Sequence, residues 1–151
     1  MIHSQLPSVD YAALAPVLVA AAAAVLGLVV DLAVPLRRRS GVVFAVATAG
    51  AAGTLAASLA LVGQRRATIC TAPATLTGSV RVGRSCSYAV DGFTLFFLVL
   101  LPAAALGALL LSAAYARAAG LPAGEYGFLL LSSLTGALTM AGARDLITLL
   151  V

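Results

Sequence analysis

Four stretches of the chain carry no charged side chain and are almost wholly apolar. They are residues 11–30, 20 long and continuing past Asp31 to Leu36, then 40–64 (25), 92–116 (25) and 126–143 (18). A helix needs about 20 apolar residues to cross the roughly 30 Å hydrocarbon core of a bilayer. Backbone facing lipid must satisfy its own hydrogen bonds, so long, evenly apolar runs are helical. Barrel strands would be about 10 residues long with alternating polarity, and no such alternation is present. The pattern predicts an all-α, polytopic membrane bundle. It has four transmembrane helices over about 11–36, 41–63, 92–116 and 126–143 in a single membrane domain. After Arg144-Asp145 an apolar run resumes, Leu146-Ile147-Thr148-Leu149-Leu150-Val151. Six residues rise only about 9 Å, so the expectation is a truncated fifth helix from 145, and a fragment of a longer protein.

Composition sharpens this reading. Of the 151 residues, 62% are hydrophobic and 9% charged, against roughly 25% charged in a soluble domain; mean hydropathy is +1.11. Nine basic and five acidic residues cannot cover a soluble surface. A soluble enzyme, a nucleic-acid module and a disordered tail are excluded. The net charge of +4 does not indicate nucleic acid, because all the basic residues are Arg flanking apolar runs, where they anchor helix ends among lipid headgroups.

The first run lacks the basic leader of a signal peptide; its basic cluster, Arg37-Arg38-Arg39, follows it. That triplet favours an N-terminus outside and the cluster in the cytoplasm. Counting does not decide the matter. Inner loops would hold Arg37, Arg38, Arg39 and Arg117, and outer segments Arg65, Arg66, Arg81, Arg84 and Arg144.

The segment from Gln64 to Val90 is the one sizeable polar stretch and shows no helical period, so it reads as an external loop. Both cysteines, Cys70 and Cys86, lie in it. A bridge between them would close a short loop, stabilising it by about 3 kcal/mol, and suits an oxidising compartment; two unrelated thiols is the other reading. Two Cys without further ligands cannot complete a tetrahedral metal shell.

Among the acids, Asp91 is placed to cap the third helix and Glu125 to face the positive terminus of the fourth. Asp31 differs, because it lies within the first apolar run. A carboxylate there is a functional candidate, but Pro35 and the Arg triplet follow closely, so it can meet an Arg at the interface. The structural role is favoured over a proton relay. In the second run Ala45, Ala49, Gly53 and Ala57 recur every four residues, with Gly50, Thr54 and Ser58 alongside, a stripe that allows close helix approach. Gly120 and Gly124 read as turn residues around Pro122, and Pro102 as a kink in the third helix. No phosphate loop, His pair or Ser-His-Asp set is present, so no catalytic, cofactor or metal site is assigned.

The local sequence carries a resemblance. The opening Val9-Asp10-Tyr11-Ala12-Ala13-Leu14-Ala15-Pro16, the run ending Asp31-Leu32-Ala33-Val34-Pro35-Leu36-Arg37-Arg38-Arg39, and Val90-Asp91-Gly92-Phe93-Thr94-Leu95-Phe96-Phe97 form an ordered series. Gly124-Glu125-Tyr126-Gly127-Phe128-Leu129-Leu130-Leu131 and Ala141-Gly142-Ala143-Arg144-Asp145-Leu146-Ile147-Thr148-Leu149 complete it. In order and spacing these resemble the N-terminal portion of the subunit N family of bacterial NADH-quinone oxidoreductase, respiratory complex I. The resemblance implies an antiporter-like subunit of a proton-pumping membrane arm in the bacterial inner membrane, partnered by other membrane-arm subunits and the bilayer. NADH, FMN, iron–sulfur clusters and quinone would serve the parent complex, with none of them bound by this chain. The family's proton path uses a Glu on the fifth helix and Lys on later ones; this chain has no Lys and would contribute packing helices. Family members often carry Asn where Arg144 stands, which leaves the role of that turn open. The alternative is a self-contained four-helix transporter or assembly protein.

Overall fold

The computed structural model describes residues 10–35, 39–63, 66–70, 75–76, 80–81, 86–119 and 122–144. Four helices run through it: α1 (Tyr11–Ala33), α2 (Arg39–Ala60), α3 (Gly92–Ala119) and α4 (Ala123–Gly142). The apolar truncated fifth segment expected from 145 lies outside the described residues, as do Arg37 and Arg38 of the triplet. The fold is a membrane-type helix bundle. α1, α2 and α3 are each long and apolar enough to cross a bilayer.

α4 is not among those three, although its 20 residues would rise about 30 Å. Glu125, four glycines and several hydroxyl residues dilute its apolar character. Packing explains how it tolerates them. α2 and α4 touch each other across the bundle while each also packs on both α1 and α3, so α4 meets three other helices. Its hydroxyls return to its own backbone: Ser132 to Leu129 O (3.0 Å), Thr135 to Leu131 O (2.8 Å) and Thr139 to Gly136 O (2.7 Å). Such bonds remove the cost of a bare hydroxyl in apolar surroundings.

The buried stripe of α4 is Gly124, Gly127, Leu131, Leu134, Leu138 and Gly142, spaced by three, four and seven as one helix face requires. In α2 the buried stripe is Val43, Ala47, Ala51, Thr54 and Ser58. This corrects the stripe expected from sequence, because Ala45 and Ala49 are exposed. The two rows are neighbours on a helix rich in small residues, and only the partner helix selects between them. Among the glycines of α2 the tightest is Gly50, where an added methyl would strike the side chain of Ala23 on α1. Outward, Leu18, Val25, Leu26, Leu32, Leu110, Leu111 and Leu129 remain exposed, an apolar belt suited to lipid or neighbouring helices. Pro102 is buried within α3, which continues on both sides of it.

The polar α2–α3 connection is more ordered than the loop expected for it. β1 (Arg66–Cys70) pairs antiparallel with β4 (Cys86–Val90), and β2 (Thr75–Leu76) with β3 (Val80–Arg81). Short strands of Thr, Ser and Arg carry too little alternation to reveal themselves; pairing across the connection creates them.

Candidate functional site

The polar groups gather at the two ends of the bundle. One end is closed by the β1–β4 ladder. Asp10 caps α1, its carboxylate accepting from Ala12 N at 3.0 Å, and its own N–H donates to Thr68 Oγ1 of β1 at 2.7 Å. Asp91 caps α3 as expected, accepting from Thr94 N at 3.0 Å. The Thr94 hydroxyl in turn donates to Ala141 O at the end of α4, 3.1 Å away. Arg144 completes the end: its guanidinium pairs with the Asp91 carboxylate, and its backbone N–H donates to Ser87 O at 2.9 Å. The arginine side chain at position 144 thus has a structural use here, since it joins the end of α4 to the start of α3, while the backbone bond to β4 needs no particular side chain.

The electrostatics follow from these contacts. The Thr94 backbone N–H holds the Asp91 carboxyl below its ordinary range; the Thr94 hydroxyl and the charge of Arg144 add to this, against a smaller upward push from desolvation. Tyr88 of β4 is 4% exposed, and its ring lies so close to Gly142 that a methyl there would collide with it. Burial raises its phenol to about 12, and among the described residues its hydroxyl has no hydrogen-bond partner. Beside this end, between α3 and α4, opens a groove of about 660 Å³ with Asp91 and Arg144 at its mouth and Phe97, Leu101 and Met140 among its walls.

At the opposite end lies Asp31. It is 8% exposed, and its carboxyl sits against Gly124 in the first turn of α4, where a methyl would overlap it. The sequence reading treated Gly124 as a turn residue and brought Asp31 out to the interface. The fold instead buries Asp31 near the end of α1 against α4, and Gly124, on α4 itself, makes room for it. Glu125, in the same turn, is exposed. Cys70 and Cys86 are brought together: they stand directly opposite each other in the β1–β4 ladder. Sequence reasoning missed Thr68, Tyr88 and the capping role of Asp10. Asp10 was visible as an acid immediately before an apolar run; the other two carry no local signal. Among the described residues no group of three His, Cys, Asp or Glu converges as a metal site would need.

No protein-family model matches the chain. Comparison with curated proteins gives 42% identity over 148 residues, 98% of this chain, to NADH-quinone oxidoreductase subunit N 2 of Streptomyces griseus. Along nearly its whole length the chain is similar to subunit N. A second relative, NADH-quinone oxidoreductase subunit N of Salinispora tropica, is 40% identical over 149 residues. The chain spans about a quarter (26%) of the length of each. The resemblance read from the sequence is therefore shown along nearly the whole chain.

Proposed function

We propose that this chain is part of an antiporter-like membrane-arm subunit of a proton-translocating NADH-quinone oxidoreductase, which couples electron transfer from NADH to quinone with proton movement. The observation that carries it is the 40–42% identity over 98% of the chain to two proteins both named subunit N. The apolar belt and three membrane-length helices support a place in the bacterial inner membrane beside other membrane-arm subunits. The β-capped end faces outward, which keeps the N-terminus outside. Flavin, iron–sulfur clusters and quinone reside elsewhere in the assembly. The helices here act as packing scaffold, and the Glu and Lys of the proton path belong to parts of the subunit beyond this chain.

Asp31 is assigned a packing role, because it is buried against a glycine on a neighbouring helix. Asp31→Asn keeps that shape, so NADH-driven acidification of inverted vesicles should persist. Its loss, with the complex still assembled, would reassign Asp31 to the relay.

The whole reading is tested by deleting the gene from its host and by tagging its product. NADH-driven acidification of inverted membrane vesicles should vanish on deletion. The tagged protein should migrate on native gels with NADH-oxidising activity. Unchanged acidification and solitary migration would establish a self-contained helical protein.

A further inference from the structure

We propose that Cys70 and Cys86 form an intramolecular disulfide that clasps the α2–α3 hairpin on the extracytoplasmic face; the choice of face rests on the orientation proposed above. The backbone carries the argument. In β1–β4 the partners are Arg66↔Val90, Ala67↔Ala89, Thr68↔Tyr88 and Cys70↔Cys86. Directly opposed antiparallel residues have Cα atoms about 4.5–5.5 Å apart, within the roughly 4.4–6.8 Å that disulfides span.

The pair also stands where a clasp has most to do. The outer ladder, Thr75↔Arg81 and Leu76↔Val80, keeps the same register, since the partner numbers sum to 156 in both ladders. Four residues on each side separate the two. Cys70 and Cys86 are the last pair of the inner ladder. Among the described residues, bonds from this ladder to the bundle are made at Thr68 and Ser87, before the ladder reaches the cysteines. A two-stranded ribbon is marginal in water without packing or a staple, and beyond Thr68 and Tyr88 the bridge supplies the staple. A metal would need further ligands than two thiols.

The oxidant is a protein disulfide of the thiol–disulfide exchange class, as oxidising compartments contain. One cysteine thiolate attacks it, forming a mixed disulfide and releasing one oxidant thiolate. The second cysteine thiolate displaces the other oxidant sulfur and closes the bridge. Two electrons pass to the oxidant, and the two thiol protons end on its reduced sulfurs.

The test uses the full-length protein in its own membrane, with thiols blocked by an alkylating reagent before lysis. Tryptic cleavage at Arg66, Arg81, Arg84 and Arg117 places Cys70 in peptide 67–81 and Cys86 in peptide 85–117. The expected result is a linked pair of these peptides that separates on reduction, with alkylation of either cysteine only after reduction. In Cys70→Ser, Cys86 should then label without reduction. Both cysteines alkylated in unreduced wild-type protein would overturn the bridge whatever the variant does. A membrane-impermeant maleimide on intact, reduced cells reports the face separately. Labelling there supports the outward hairpin. A linked pair that labels only after permeabilisation would keep the bridge and overturn the orientation.

Discussion

Both ends of the bundle hold a tight glycine contact, Gly142 on Tyr88 and Gly124 on Asp31, but their polar groups are held by different means. At the β-capped end, groups distant in sequence meet through hydrogen bonds in partly exposed positions: Asp10 with Thr68, Thr94 with Ala141, Arg144 with Asp91 and Ser87. At the other end Asp31 is buried against Gly124. The first arrangement shows many contacts, each of which water can replace in part. The second leaves no space for one more carbon. Sensitivity to mutation should therefore run against the number of visible polar contacts, because exposed pairs are screened while overpacked interiors must move.

Gly124→Ala is the sharpest way to break that contrast. Its methyl overlaps the Asp31 carboxyl, and we expect a loss of about 1–3 kcal/mol, read as a lower melting temperature of the detergent-solubilised protein. Adding Asp31→Ala should recover much of that loss. An unshifted melting temperature for Gly124→Ala would erase the difference between the ends. Next in size is Asp10→Ala, which removes the α1 cap for about 1 kcal/mol; faster amide exchange confined to the first turn of α1 would be its signature.

Arg144→Gln should cost less, about 0.2–1 kcal/mol, because the pair is half-exposed and the Arg144 backbone bond to Ser87 survives. High salt should shrink the difference from wild type, and a salt-independent loss would contradict the screened-pair description. Acid acts through the same group. The folded carboxyl of Asp91 is lowered, so its contribution is present above the unfolded value of about 3.9 and lost as pH falls through the folded one. An acid titration comparing wild type with Asp91→Asn reads that loss.

The smallest effect belongs to Tyr88→Phe. Removing a buried hydroxyl that has no partner among the described residues should leave stability unchanged or raise it by up to about 1 kcal/mol. The phenol is raised to about 12, so its neutral form supports folding fully below about 10 and that support is lost as pH rises through 12. Wild type should lose helicity across this range more steeply than Tyr88→Phe. A clear destabilisation by Phe at neutral pH would mean the hydroxyl is bonded.

Much of this was legible from one-dimensional pattern. The apolar runs are long and uninterrupted enough to reveal four helices. Asp91 sits immediately before Gly92-Phe93-Thr94, so its capping role needs only local geometry. The signals that failed concern partners. Ala45 and Ala47 are equally small, and only contact with α1 and α4 decides that Ala47 is buried. Gly124 beside Pro122 looks like a turn, and its use appears only when α1 brings Asp31 across 92 intervening positions.

The sequence by itself determined the class of molecule, the helices and the similarity to subunit N. Composition and period act within a single segment, and the ordered local matches lie along the chain. Tertiary structure alone decided which face of α2 is covered, that α4 can be rich in Ser and Thr within the bundle, and that Arg144 meets Asp91. It also set Cys70 opposite Cys86. These follow from distances between segments far apart in the chain, and in an apolar bundle such distances are set by close packing of backbones, which no single helix records.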